Sequence, residues 1–314
     1  MKYPINKEYF AYSLVAPPVQ NAKMAGFMGS LMKPPRWIWK DKEVSVYKEL
    51  IKSYDGKETE VLIFEPRNNS EVDSCLVYYH GGGFFFGAAG YHYRLAKKYV
   101  LDTPCKLVFV QYRLAPKNPH PTPSEDCYVA LEWTFENAER LKVSKNKIAV
   151  AGDSAGGALA AAVCQMARDR KTKMPLFQLL IYPVTDRRMI TDSCKKYTNT
   201  PMWNSKLSKK MWQGYVQDEN ATNIAFASPM EADSFDNLPP AYLETAEFDC
   251  LHDEGIAYGK ALENSGVKVY VNETKGTMHG FDIVKKAPTT VSAVEKRIEF
   301  MKNAFKNIEV MEKK

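Results

Sequence analysis

KIAVAGDSAGG (Lys147–Gly157) runs directly into ALAAA (Ala158–Ala162). Ile148-Ala149-Val150-Ala151 is a short apolar run suited to a buried strand, and Ala155 to Arg168 is rich in helix formers. Gly152-Asp153-Ser154-Ala155-Gly156 must therefore be a very tight strand-to-helix turn, a nucleophile elbow. The G-x-S-x-G spacing has a steric cause. Residues two before and two after the serine face the crossing of strand and helix, where a Cβ would collide. Ser154 is left exposed at the strand tip, and the Ala155 N–H, at the start of a helix, is free to face a developing anion.

Upstream, Ser74 to Tyr79 reads as a strand running into His80-Gly81-Gly82-Gly83-Phe84-Phe85-Phe86-Gly87. Successive glycines let backbone amides turn inward with no side chain in the way, as an oxyanion site needs. A phosphate loop is the competing reading, but neither G-K-[ST] nor a helix-opening G-x-G-x-x-G is present. Arg94–Val100 continues as a helix and Leu107–Gln111 as a strand. Tyr112 to Pro116 then leaves the strand, and a connector with Pro119, Pro121 and Pro123 leads to a helix over Glu125–Asn137. Strand alternating with helix up to the elbow implies a parallel sheet.

Ahead of these, Glu43–Leu50 and Glu58–Pro66 predict an antiparallel hairpin turning at Asp55-Gly56. The first forty residues do not read as sheet. Ala22–Met32 has helical spacing, includes Met24, Phe27 and Met28, and is stopped by Pro34-Pro35; it fits a core filler or an apolar cap. Beyond the elbow helix, Leu176–Tyr182 is a strand. A long interlude from Asp186 to Ser228 carries Met202, Trp203, Trp212 and Tyr215 and reads as an inserted cap. Ala241–Phe248 is a strand ending at Asp249, and His252–Asn264 a helix with Gly266 past its end. Lys268–Glu273 is the last strand, Lys275–Phe281 a loop, and Thr289–Phe305 a closing amphipathic helix. One α/β domain over residues 1–314 is expected, with cap elements at 1–40 and 186–228.

Composition narrows the class. Lys and Arg total 43 against 37 Asp and Glu, a net charge of +6. The basic pairs are scattered and form no stripe for nucleic acid. Six cysteines form no C-x-x-C pair and most sit in apolar segments, as reduced thiols do. No signal-peptide core and no run of ~20 apolar residues occurs, so a soluble cytoplasmic protein without membrane insertion is expected. A homo-oligomer is compatible with the sequence.

A serine hydroxyl needs a base to take its proton. Of five histidines, His80 belongs to the glycine loop, His92 lies near a helix start, His120 sits among prolines and His252 is on a helix. His279 alone follows the last strand, flanked by Gly276 and Gly280, and completes the order Ser, acid, His. Asp249 is the preferred acid because it stands where a strand ends, the edge on which open α/β sheets place functional groups. Glu247, Asp253 and Glu254 are its rivals, suited to strand-edge or helix N-terminal positions.

These motifs together resemble the hormone-sensitive-lipase-like family of α/β-hydrolases: His80-Gly81-Gly82-Gly83-Phe84, Tyr112-Arg113-Leu114-Ala115-Pro116, Gly152–Gly157, Asp249–Glu254 and His279-Gly280-Phe281. The resemblance implies an α/β-hydrolase fold, with a mostly parallel eight-stranded sheet, helices on both faces and a helical cap. No cofactor and no metal are implied. It carries Ser154 as nucleophile, His279 as base and Asp249 as the orienting acid, with an oxyanion hole from the amides of Gly82, Gly83 and Ala155. A small-molecule ester with an acyl group from acetyl to about octanoyl is the implied substrate. Bulky residues that could close its pocket are Phe84, Phe85, Trp203, Trp212 and Phe27. Two positions depart from the family: Lys117 stands where Glu is common, and Cys250 where Pro is common. Plant gibberellin receptors resemble the same fold but lack the triad histidine, so His279 favours catalysis over binding alone. An amidase or lipase using the same site is a further reading.

Overall fold

The computed structural model describes residues 3–12, 22–68, 71–218 and 221–311. Short 3-10 turns at Lys7–Tyr12 and Arg36–Lys40 flank helix α1 (Ala22–Ser30). Strands β1 (Val44–Lys52) and β2 (Glu58–Pro66) pair antiparallel from Val44↔Pro66 to Lys52↔Glu58. Then follow β3 (Cys75–Tyr79), α2 (Gly90–Asp102), β4 (Lys106–Gln111), α3 (Thr122–Glu136), β5 (Ile148–Asp153), α4 (Ala155–Asp169) and β6 (Gln178–Ile181). The insertion contributes α5 (Asp192–Lys196) and α6 (Ser205–Tyr215). The chain closes with β7 (Ala241–Phe248), α7 (His252–Asn264), β8 (Val269–Met278) and α8 (Pro288–Met311). Helix α3 starts three residues before the expected Glu125, since Pro123 is tolerated in a first turn where no intrahelical N–H is needed.

These strands form one sheet in the order β1-β2-β4-β3-β5-β6-β7-β8, parallel from β4 through β8. Winding runs outward from β3 to β4, then reverses to β5 and β6. Right-handed crossovers therefore put α2 on one face and α3, α4 and α7 on the other. Helix α8 shares the face of α2, where Arg297 reaches the Tyr99 hydroxyl at 3.2 Å. Strand β5 is buried at all six positions, as is α4 from Ala155 to Ala167, which explains its lack of a polar face. All six cysteines are buried free thiols.

Strand β8 is longer than its sequence suggests. It runs through Lys275–Met278, the stretch expected to be loop, because an irregularity accommodates two more residues on β8 than on β7 between Ala246↔Thr274 and Phe248↔Met278. Gly276, at φ +67°, absorbs the excess, its N–H donating to Glu247 and its carbonyl accepting from Asn6. Among the described residues no helix is long and apolar enough to cross a membrane.

The N-terminal helix is seated directly on the glycine loop. A Cβ on Gly29 would lie 1.8 Å from the Phe85 carbonyl oxygen, so only glycine permits this approach of α1. Helix α6 of the insertion meets α1, and the two cover the same end of the sheet.

Candidate active site

Strand β5 ends beside β6, with Asp153 opposite Ile181, and the Ser154 N–H donates to the Ile181 carbonyl at 2.8 Å. Ser154 then takes φ +55°, ψ −118°, a conformation foreign to L-residues, and α4 begins at the next residue. The two elbow glycines are required by contact. A Cβ on Gly152 would stand 2.1 Å from the Gly156 carbonyl oxygen, and one on Gly156 1.9 Å from that of Tyr79.

Pairing of Phe248 with Met278 makes the next residues on two adjacent parallel strands Asp249 and His279. Asp249 Oδ2 lies 2.6 Å from His279 Nδ1, and His279 Nε2 lies 2.8 Å from Ser154 Oγ. A carboxylate only accepts, so Nδ1 carries the imidazole proton and Nε2 is left to receive one from the serine. The other Asp249 oxygen accepts the Leu251 N–H at 3.0 Å. Asp249 is fully buried, while Ser154 and His279 keep 5% and 7% of their surface exposed.

The rival acids are occupied elsewhere. Glu247 accepts the Gly276 N–H, Asp253 accepts the Ser193 N–H and pairs with His252, and Glu254 accepts the Thr185 N–H. Burial pushes the Glu254 carboxyl well above the usual range.

The glycine loop lies against the elbow. Gly82 has φ +125° and Gly83 φ +58°. The Gly81 N–H donates to Asp153 Oδ1 at 3.0 Å, and the Gly81 carbonyl accepts from His80 Nδ1 at 2.7 Å. Both peptide planes around Gly81 are thus fixed, and with them the direction of the Gly82 N–H, which shares a plane with the Gly81 carbonyl. Burial lowers the His80 pKa to about 4, so the ring stays neutral near pH 7 and keeps this one donor.

Residues 76–283 match the family described as alpha/beta hydrolase fold. The chain is 33% identical over 261 residues to carboxylesterase NlhH of Mycobacterium tuberculosis, covering 80% of this chain and 81% of that one. The chain belongs to the hormone-sensitive-lipase-like family of α/β-hydrolases. It is also 33% identical over 230 residues to an ethyl acetate hydrolase of Pseudomonas putida, covering 72% of each. Among solved structures, a bacterial heroin esterase superposes with a TM-score of 0.86 at 29% identity, over 98% of this chain and 100% of that chain.

The bulky residues of this α/β-hydrolase take different positions. Trp203 stands against both parts of the site: its ring carbon Cη2 would be 2.7 Å from a Cβ on Gly83, and its ring centroid is 6.1 Å from that of His279. Phe84 is fully buried, stacked on Tyr215 at 3.7 Å between centroids with Trp212 at 6.2 Å, so it backs the wall and presents no face to solvent. Phe85 is fully buried under α1. Phe27 is 66% exposed and borders a groove with Leu114–Asn118 and Gln217. The Met24 side chain lies outside those described.

In the sequence Asp153 stands only as the variable position before the elbow serine, yet in the fold it organises the site from beneath. Its carboxylate accepts from the Tyr78 hydroxyl at 2.6 Å, the Gly81 N–H and His92 Nε2 at 3.1 Å. His92 Nδ1 accepts the Ala89 N–H at 2.9 Å, so Nε2 carries the proton. Burial alone would raise the Asp153 pKa; His92 and the Tyr78 hydrogen bond outweigh it and bring the pKa down to about 2. A second network joins buried Arg297 to Glu244 and, at 2.5 Å, to Asp282, three residues beyond His279. Its signal was available: position 297 falls on the buried stripe of Val294, Ile298 and Met301.

Proposed function

We propose that this carboxylic ester hydrolase cleaves short-chain acyl esters, from acetyl to about octanoyl, through a Ser154–His279–Asp249 triad and an acyl-enzyme. The observation that carries the reading is the chain of contacts from Ser154 Oγ to His279 at 2.8 Å and on to Asp249 at 2.6 Å, beside a glycine loop. Ser154 Oγ attacks the ester carbonyl as His279 Nε2 takes its proton. Asp249 stays ionised, holds the tautomer and stabilises the imidazolium. The N–H groups of Gly82, Gly83 and Ala155 receive the oxyanion. His279 then gives its proton to the leaving alkoxide, and a water repeats the cycle on the acyl-enzyme.

Trp203 over Gly83 and the packed layer of Phe84, Trp212 and Tyr215 support a walled pocket, which favours short acyl groups. The ethyl acetate hydrolase among the relatives points the same way. Six buried free thiols support a reducing compartment, the cytoplasm. The test is Ser154→Ala on p-nitrophenyl acetate: activity should fall by about a millionfold with the fold retained. Turnover near that of the wild type in the folded variant would remove Ser154 from its role.

A further inference from the structure

Cys250, next to Asp249, is held by the insertion at both its carbonyl and its thiol. The Cys250 carbonyl accepts the Ser193 hydroxyl of α5 at 3.0 Å. Its thiol lies 3.6 Å from the Ser208 hydroxyl of α6, a hydrogen-bonding distance for sulfur. Burial keeps that thiol protonated, raising its pKa well above the ordinary value. Ser208 is itself buried, and its oxygen accepts the indole N–H of Trp203 at 2.9 Å. With one lone pair engaged by the indole, the hydroxyl turns its remaining capacity toward Cys250.

A continuous path therefore runs from Asp249 through the adjacent Cys250 to Ser208, to the Trp203 indole and so to Gly83. An indole has one donor, and fixing it fixes the rotation of the ring about its long axis. The far, benzene end of the same rigid ring (Cη2, Cζ2 and Cζ3) stands over the glycine loop, so holding the N–H sets where that end lies.

We propose that Ser208 and Cys250 are positioning residues that set the angle of the Trp203 ring over Gly83, and thereby the longest acyl group the pocket accepts. The proposal rests on the reading of Ser154 as the nucleophile of an ester hydrolase. Ser208→Ala removes the acceptor and releases the ring. Cys250→Ala leaves Ser208 without its second partner and loosens it. Cys250→Ser keeps a hydrogen-bonding group at that position and retains the wild-type setting.

The experiment is kcat/KM on p-nitrophenyl acetate and p-nitrophenyl decanoate below the micelle concentration, for wild type, Ser208→Ala, Cys250→Ala, Cys250→Ser and Trp203→Phe. In Ser208→Ala the decanoate-to-acetate ratio should rise about tenfold, the worth of one to two further buried methylenes, mainly through a lower KM for decanoate. Cys250→Ala should move the ratio the same way by less, and Cys250→Ser should leave it at the wild-type value. Trp203→Phe removes the donor from the other side, so adding Ser208→Ala to it should change the ratio no further. That comparison decides the matter even if Cys250→Ala does not fold. A lowered Tm with an unchanged ratio in Ser208→Ala, or additive effects in the double variant, would overturn the proposal. A wild-type protein that hydrolyses neither ester would instead overturn the assignment of esterase activity.

Discussion

Adding one methyl group at Gly82 or at Gly83 separates an oxyanion site from a mere binding wall. At Gly82 the backbone has φ +125°, and the new Cβ would stand 2.5 Å from the Phe86 carbonyl oxygen. That obstacle is backbone, itself tied into the loop by the Phe86 N–H donating to the Gly82 carbonyl at 2.9 Å. Nothing can rotate away, so the loop must shift and carry its N–H groups off their target. Losing one such donor costs ~2.7–4 kcal/mol in the transition state, a factor of ~10²–10³ in kcat. At Gly83, with φ +58°, alanine bears ~1–2 kcal/mol of left-handed strain. Its Cβ would meet Trp203 Cη2 at 2.7 Å. Relaxed carbon contacts lie at ~3.5–4.0 Å, so about 1 Å must be found. Part of it comes from the ring, and the fall in kcat should be smaller than for Gly82→Ala. Removing the ring should relieve the clash: Gly83→Ala with Trp203→Ala should retain more activity than the product of the two single effects. The assay is kcat and KM on p-nitrophenyl acetate, using variants with wild-type circular dichroism. If Gly82→Ala kept kcat within about twofold and raised only KM, the oxyanion argument would fail. A strictly multiplicative double variant would sink the steric one.

Three further outcomes are expected. The folded-state pKa of Asp153 is lowered from 3.8 to about 2, so its carboxylate contributes stability that is fully present above pH ~4 and lost as pH falls toward 2. That amounts to about 2 kcal/mol, and Asp153→Asn, though less stable at neutral pH, should lose less on acidification from pH 4 to 2; equal slopes in urea unfolding would refute this. Arg297→Met leaves Glu244 and Asp282 buried without their shared cation and should cost ~3–5 kcal/mol in urea unfolding, a loss under 1 kcal/mol counting against the network. Across p-nitrophenyl esters, kcat/KM should peak among short chains and fall before dodecanoyl, and removing residues 1–32, which takes α1 off the Phe85 backbone, should flatten that fall; a rate still climbing at dodecanoyl would point to a lipase.

The elbow was legible because its constraint is local: Gly152, Ser154 and Gly156 answer to atoms within a few residues or on the neighbouring strand, and the pattern of small residues records it. The same holds for β2, β7 and α7, whose observed bounds match those read from apolar runs and turn residues. Glycines cut the other way at the last strand. Gly276 reads as loop when it stands alone, and only pairing with β7 shows it to be a bulge inside β8. What the linear pattern could not specify was partnership across the chain. Asp249 and His279 are 30 residues apart, and His279 and Ser154 are 125 apart. Trp203 reaches Gly83, Arg297 reaches Glu244 and Asp153 collects Tyr78 and His92 through strand register and helix placement. A side-chain contact between distant segments is set by the packing of the whole core; the residues that make it carry the chemistry, but the distance between them belongs to the tertiary structure.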